Sequence, residues 1–197
     1  VADSGPELLR QKSPWLEIIG PDFIEKAFEF THAADPDALL FYNDYNESQP
    51  DKRDKIYQLV KGLKEKGVPI HGIGLQAHWN IYWPSLDDIR AAIELYASLG
   101  VQLHVTELDL SVFAFDDRRT DLSEPTAEMM ELQEERFEQI FALFREYAGV
   151  ITNVTFWGAA DDTTWLDNFP VRGRKNWPLL FDTQHRPKPA LARIMQF

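Results

Sequence analysis

Four apolar, strand-like runs, each parted from the next by one amphipathic helical pattern, constrain this chain more than any other feature. The runs start near residues 38, 70, 101 and 151. Between the first two, Ile56, Leu59, Val60 and Leu63 keep one helical face, and Gly67 suits the exit. Between the next two, Ser85 caps a helix with Asp88 three positions on, Ile89, Ala92, Ile93 and Tyr96 form its face, and Gly100 ends it. A longer helix from about Thr126 to Tyr147 turns Phe137, Ile140, Phe141 and Phe144 inward before the last run, Ile151 to Trp157. Strand–helix–strand alternation of this kind implies parallel strands joined by right-handed crossovers. A further helix from Pro21-Asp22 to about Ala34 precedes the first strand, and one near 188–196 follows the last. Residues 1–20 read as irregular around Pro6, Pro14 and Gly20.

The connections after strands are long, at 108–125 and 158–186, while those after helices are short. In a (β/α) barrel the strand-to-helix loops build the active face, so this asymmetry favours a barrel over a doubly wound sheet. A nucleotide-binding sheet would also require a glycine-rich turn opening a helix, whereas Gly72 and Gly74 lie inside a strand. Four strands cannot close a barrel, and an eight-stranded one typically takes about 250 residues. The fold expected is therefore α/β, the C-terminal half (strands 5–8 with their helices) of a (β/α)8 TIM barrel. Residues 1–197 are expected to form a single partial catalytic domain with the N-terminal half absent.

Polar residues gather where the strands end. Leu103-His104-Val105-Thr106-Glu107-Leu108-Asp109 finishes in two carboxylates two positions apart, which point to one side of a strand. The run from Ile70 finishes in Gln76 and His78, again two apart. Neighbouring strands would bring Gln76, His78, Glu107 and Asp109 to one rim. Burying so many polar groups is costly unless they pair with each other or with a ligand. A lone strand-end glutamate such as Glu107 is as often an ion-pair or capping residue, and a lone histidine such as His78 is more often a satisfied core side chain; the cluster is what favours function. His32, His71, His104 and His185 have no such company. Trp157, Trp165 and Trp79 follow strands and could stack on sugar rings, although a tryptophan there is often core. Arg172, Arg174 and Lys175 read as a solvated loop pairing with acidic neighbours.

Two chemistries suit a carboxylate cluster with one histidine: glycoside hydrolysis, or a metal site with His78, Glu107 and Asp109 as ligands. A net charge of -12 argues against nucleic acid, whose phosphates require a basic face. No stretch is apolar for about 18 residues, so no membrane-spanning helix is expected. Without cysteine there is no thiolate chemistry, which fits the cytosol without excluding export.

Several motifs together resemble glycoside hydrolase family 10: Tyr42-Asn43-Asp44-Tyr45-Asn46, Gly74-Leu75-Gln76-Ala77-His78-Trp79, Thr106-Glu107-Leu108-Asp109 and Phe156-Trp157-Gly158 with Trp165. The resemblance covers essentially the whole chain, in order, and is closest to compact bacterial xylanases, several of them intracellular. It implies a retaining endo-1,4-β-xylanase on a (β/α)8 barrel. By position, Glu107 matches the nucleophile, and His78 and Asp109 match the pair that orients it. Gln76 matches a residue contacting the sugar beside the scissile bond, Trp157 and Trp165 the aromatic walls of that subsite, and Asn43 and Tyr45 a motif supporting the cleft. No cofactor is implied. The family's acid/base glutamate is expected just upstream of Val1, so the chain alone is expected to be inactive. Its expected partners are xylan or xylo-oligosaccharides, and either the missing half-barrel or a second copy of itself. A non-catalytic xylan-binding or assembly fragment is the alternative outside enzymology.

Overall fold

The computed structural model describes residues 1–196. Four parallel strands lie side by side: β1 (Phe41–Asp44), β2 (Gly72–Leu75), β4 (Gln102–Ser111) and β5 (Ile151–Phe156). A short strand β3 (His78–Asn80) pairs with the far end of β4, setting His78 opposite Asp109. The strand order β1-β2-β4, with β5 beyond β4, leaves β1 and β5 at the edges of an open sheet. Helices α3 (Pro50–Glu65), α4 (Leu86–Ala97) and α5 (Ala127–Glu146) form the crossovers, and α6 (Pro189–Ile194) packs on α5. Helices α1 (Pro14–Ile19) and α2 (Phe23–Ala34) precede β1.

The helices cover one face of the sheet. Ile73, Leu103 and Val105 on that face are wholly buried, as are Ile56, Val60, Ile89, Ile93, Phe137 and Ile140 on the helices. Caps at Ser85, Gly67 and Gly100 follow the sequence reading: Ser85 accepts the Asp88 N–H at 3.0 Å, and Gly67 and Gly100 take positive φ past α3 and α4. Thr126, expected only as the start of a helix, also caps α5, accepting the Met129 N–H at 3.2 Å.

The opposite face is small and polar. The register aligns Asn43, Gly74, His104 and Asn153 across the four strands. Phe41 lies over Gly72 to stack on His104, ring centroids 4.0 Å apart; a Cβ at Gly72 would sit 1.9 Å from the Phe41 ring.

The structure moves several boundaries. β1 runs over 41–44 rather than starting near 38, and it includes Asn43 and Asp44, which pair with Gly74 and Leu75. β4 continues to Ser111, since Leu108 bridges to Phe156 and Leu110 pairs with Trp79; the loop begins four residues later than expected. The run ending at His78 is two strands, broken at Ala77, whose φ is +58°. Within the segment expected to be irregular, Pro14 opens the six-residue helix α1, which buries none of its side chains and so carries no amphipathic signal.

Candidate active site

The expected cluster forms at the C-terminal ends of the strands. His78, the first residue of β3, stands between the two carboxylates of β4: Nδ1 lies 3.0 Å from Asp109 Oδ2 and Nε2 3.2 Å from Glu107 Oε2. Carboxylates only accept, so both contacts are hydrogen bonds when both ring nitrogens carry protons. Burial pulls the imidazole toward its neutral form, but the bonds and charges of Asp109 and Glu107 outweigh it and hold the His78 pKa above the ordinary value. Asp109 is 1% exposed. Its burial pushes the carboxyl up, opposed by His78 and by the Trp165 indole, whose Nε1 donates to Oδ2 at 2.7 Å.

Glu107 is held from both sides. While His78 faces one oxygen, the Asn43 side-chain amide donates to the other, Oε1, at 2.9 Å. The Thr106 hydroxyl lies 2.8 Å from Asn43 Oδ1 and 3.1 Å from the Leu75 carbonyl, which fixes the orientation of that amide. Gly74 makes this possible: a Cβ there would lie 2.5 Å from Asn43 Oδ1 and 3.0 Å from Thr106 Cγ2. Asn43 thus touches the central carboxylate directly, which is more than the supporting place its motif implied. Thr106 was missed, although it lies inside the Thr106-Glu107 motif.

A cavity of about 890 Å³ opens beside this group. Gln76, His78, Asp109, Trp165 and Tyr45 line it, together with Phe169, which the sequence reading missed. Aromatic rings continue from His78 into the loop after β5. Trp165 lies edge-on to His78 at 5.0 Å, and Phe169 stacks on Trp165 at 5.0 Å and 20°. Trp157 meets His78 edge-on at 6.3 Å and is 48% exposed, so its ring is open to a ligand. The Asn-Phe-Pro sequence around Phe169, four residues beyond Trp165, was the available signal.

Two expectations need correction. Trp79 is 3% exposed: its indole N–H donates to Glu47 at 3.0 Å and its ring packs near Phe144, so it packs chiefly as core, although it also lines the cavity. Arg174 is not solvated; it lies 4.0 Å over the Phe113 ring and donates to the Asp117 carbonyl at 2.7 Å, tying the loops after β4 and β5 together. Lys175 does pair with Asp167. Of the remaining histidines, His71 accepts the Leu40 N–H at 2.9 Å and His185 pairs with Asp162 at 3.0 Å, both away from the cluster. Each nitrogen of His78 faces a different carboxylate, so the donor set converges on the imidazole, and no metal-holding group of His, Asp and Glu occurs among the described residues.

Chemically, the arrangement holds one partly buried carboxylate, Glu107, with both oxygens positioned, next to His78, which with Asp109 lines the aromatic-walled cavity. That suits attack on an electrophilic carbon of a ligand with apolar ring faces.

Comparison with known proteins agrees with this picture. The model of glycosyl hydrolase family 10 matches residues 1–197. An endo-1,4-beta-xylanase of Geobacillus stearothermophilus is 68% identical over 195 residues, 99% of this chain and 59% of that protein. Among solved structures, xylanase XynB from Paenibacillus barcinonensis, complexed with a conduramine derivative, superposes with a TM-score of 0.91 at 62% identity, over 96% of this chain and 59% of the other. A mutant in complex with xylotriose gives a TM-score of 0.95 at 52% identity, over 100% of this chain and 60% of the other. The fold is accordingly a partial (β/α)8 barrel, and the chain spans about three-fifths of the length of these relatives.

Proposed function

The chain belongs to glycosyl hydrolase family 10, and from that premise we propose that it supplies the nucleophile and much of the cleft of a retaining endo-1,4-β-xylanase. The observation that carries this reading is the placement of Glu107, whose two oxygens are held separately by Asn43 and His78. In the first step a Glu107 oxygen attacks the anomeric carbon of a xylose unit, and the glycosidic bond breaks as a carboxylic acid protonates the leaving oxygen. In the second, the same acid, now a carboxylate, takes a proton from water, which displaces Glu107 with net retention.

His78 and Asp109 orient Glu107. Gln76 contacts the sugar beside the scissile bond, Trp157 and Trp165 wall its ring, and Tyr45 supports the cleft. Retention requires the two carboxyl groups about 5–5.5 Å apart. Asp109 is committed to His78 and Trp165, so in this reading the acid is a glutamate from a segment outside the 197 residues, and the chain alone turns over little or no substrate.

The 197 residues form one unit that works beside another. The open edges of β1 and β5 present unpaired backbone, and Trp15, Ile18 and Phe30 on α1 and α2 stay 66%, 83% and 70% exposed. Both features suit docking of the preceding βα units or, in their absence, of a second copy.

The test is hydrolysis of a chromogenic xylobioside by this chain, alone and mixed with a polypeptide carrying the first four βα units. Turnover only in the mixture, lost in Glu107→Gln, is the expected result. Full activity of the chain alone, or undiminished activity of Glu107→Gln, would overturn it. Xylo-oligosaccharide binding without turnover in the assembled barrel would favour the non-catalytic alternative.

A further inference from the structure

The turn after β1 buries a carboxyl group for which the reaction above has no use. Glu47 is 0% exposed, and its Oε2 meets no hydrogen-bond donor. Its Oε1 accepts the Trp79 indole N–H at 3.0 Å, and its backbone carbonyl accepts the Tyr96 hydroxyl at 2.8 Å, which anchors the turn to α4. A buried carboxyl with an unpaired oxygen is costly and calls for an explanation.

The explanation lies in what flanks His78. Trp79 follows it directly. Ala77 precedes it with φ +58°, a left-handed conformation that a residue with a Cβ holds only where its surroundings impose it. Burial pushes the Glu47 carboxyl up to about 7, against the pull of the Trp79 indole and the charge of His78. One carboxyl group therefore holds the residue after His78 and feels the charge of His78 itself. The Ala77 turn separates β2 from β3, and β3 sets the imidazole opposite Asp109.

We propose that Glu47 is a positioning residue: by holding the indole of Trp79, the residue directly after His78, it sets the His78 ring between Glu107 and Asp109. The consequence for rate rests on the reading of Glu107 as nucleophile; the geometric claim does not.

The experiment is an NMR titration of the His78 imidazole in the folded chain without substrate. The groups that titrate or carry charge around Glu47 are His78 on β3 and Tyr96 on α4, with Arg53, Tyr42 and Asp44 beyond Tyr96. Glu47→Gln keeps an acceptor for the indole and is expected to leave the His78 pKa within a few tenths of a unit. Glu47→Leu removes the acceptor and is expected to lower that pKa by about one unit, as His78 drifts from its carboxylates. A folded Glu47→Leu chain with an unmoved His78 overturns the proposal, as does a Glu47→Gln change as large as that of Glu47→Leu. If Glu47→Leu does not fold, Trp79→Phe removes the same bond from the donor side and is judged by the same shift. Since no turnover is measured, an unmoved His78 sinks this proposal even in an active xylanase, and an inactive assembled barrel sinks the xylanase reading even where His78 moves.

Discussion

Trp165 Nε1 donates to Asp109 Oδ2 at 2.7 Å, the same oxygen that faces His78 Nδ1 at 3.0 Å. A single buried carboxylate oxygen therefore links a loop tryptophan to the imidazole that faces Glu107. The wall of the cavity and the carboxylate–imidazole cluster are tied by hydrogen bonds.

Trp165→Phe keeps a ring against His78 and Phe169 but removes the donor. Hydrogen bonds to charged groups contribute roughly 1.5–3 kcal/mol. Xylobioside hydrolysis by the assembled barrel should fall on the order of tenfold or more in kcat/KM, with part of the loss in kcat. A loss confined to KM would show that the indole acts as a stacking surface alone.

Gly74→Ala places a methyl 2.5 Å from Asn43 Oδ1 and 3.0 Å from Thr106 Cγ2. The overpacking should cost about 1–3 kcal/mol in urea unfolding. It should also displace the amide that holds Glu107 Oε1, and so lower turnover more than Asn43→Ala, which leaves Gly74 clear. Wild-type stability in Gly74→Ala would show that Asn43 relocates freely.

The raised pKa of His78 has a definite sign. A group bound more tightly to its proton in the folded state contributes stability that is complete below its unfolded value, about 6.5, and disappears as pH rises through the folded value above it. Glu47, raised to about 7 from 4.5, loses its contribution in the same direction but over a lower window. Thermal unfolding of the wild-type chain and of His78→Gln should therefore differ more at pH 6 than at pH 9. A difference that grows with pH would contradict the charged arrangement.

The buried pair of Lys188 and Asp161, 3.0 Å apart, ties the start of α6 to the loop after β5. Lys188 Nζ also donates to the Trp177 carbonyl at 2.8 Å. Lys188→Met leaves Asp161 buried and unpaired, and should cost about 3–5 kcal/mol. Chemical denaturation measures this, and a cost near zero would mean that water reaches Asp161.

The alternation of runs from 38, 70, 101 and 151, with a cap at Ser85 and an exit at Gly100, was legible because each depends on residues close in sequence: periodicity, one capping hydroxyl, one glycine. So was the company of His78, Glu107 and Asp109, since spacing by two along a strand and adjacency of strands follow from parallel pairing. Trp79 was misplaced and Thr106 missed for a common reason. A side chain's partner across the sheet, Glu47 for the one and Asn43 for the other, lies more than 30 residues away, and no local pattern announces it.

By itself, then, the amino-acid order determined the parallel α/β class, the end of the sheet that carries the polar groups, and the membership of the central cluster. Tertiary structure alone decided that Ala77 breaks the strand, that Gly74 clears a path for Asn43 to reach Glu107, and that Arg174 leaves solvent to join two loops. Those outcomes turn on contacts between distant segments, where one close approach or one buried charge outweighs what either segment prefers in isolation.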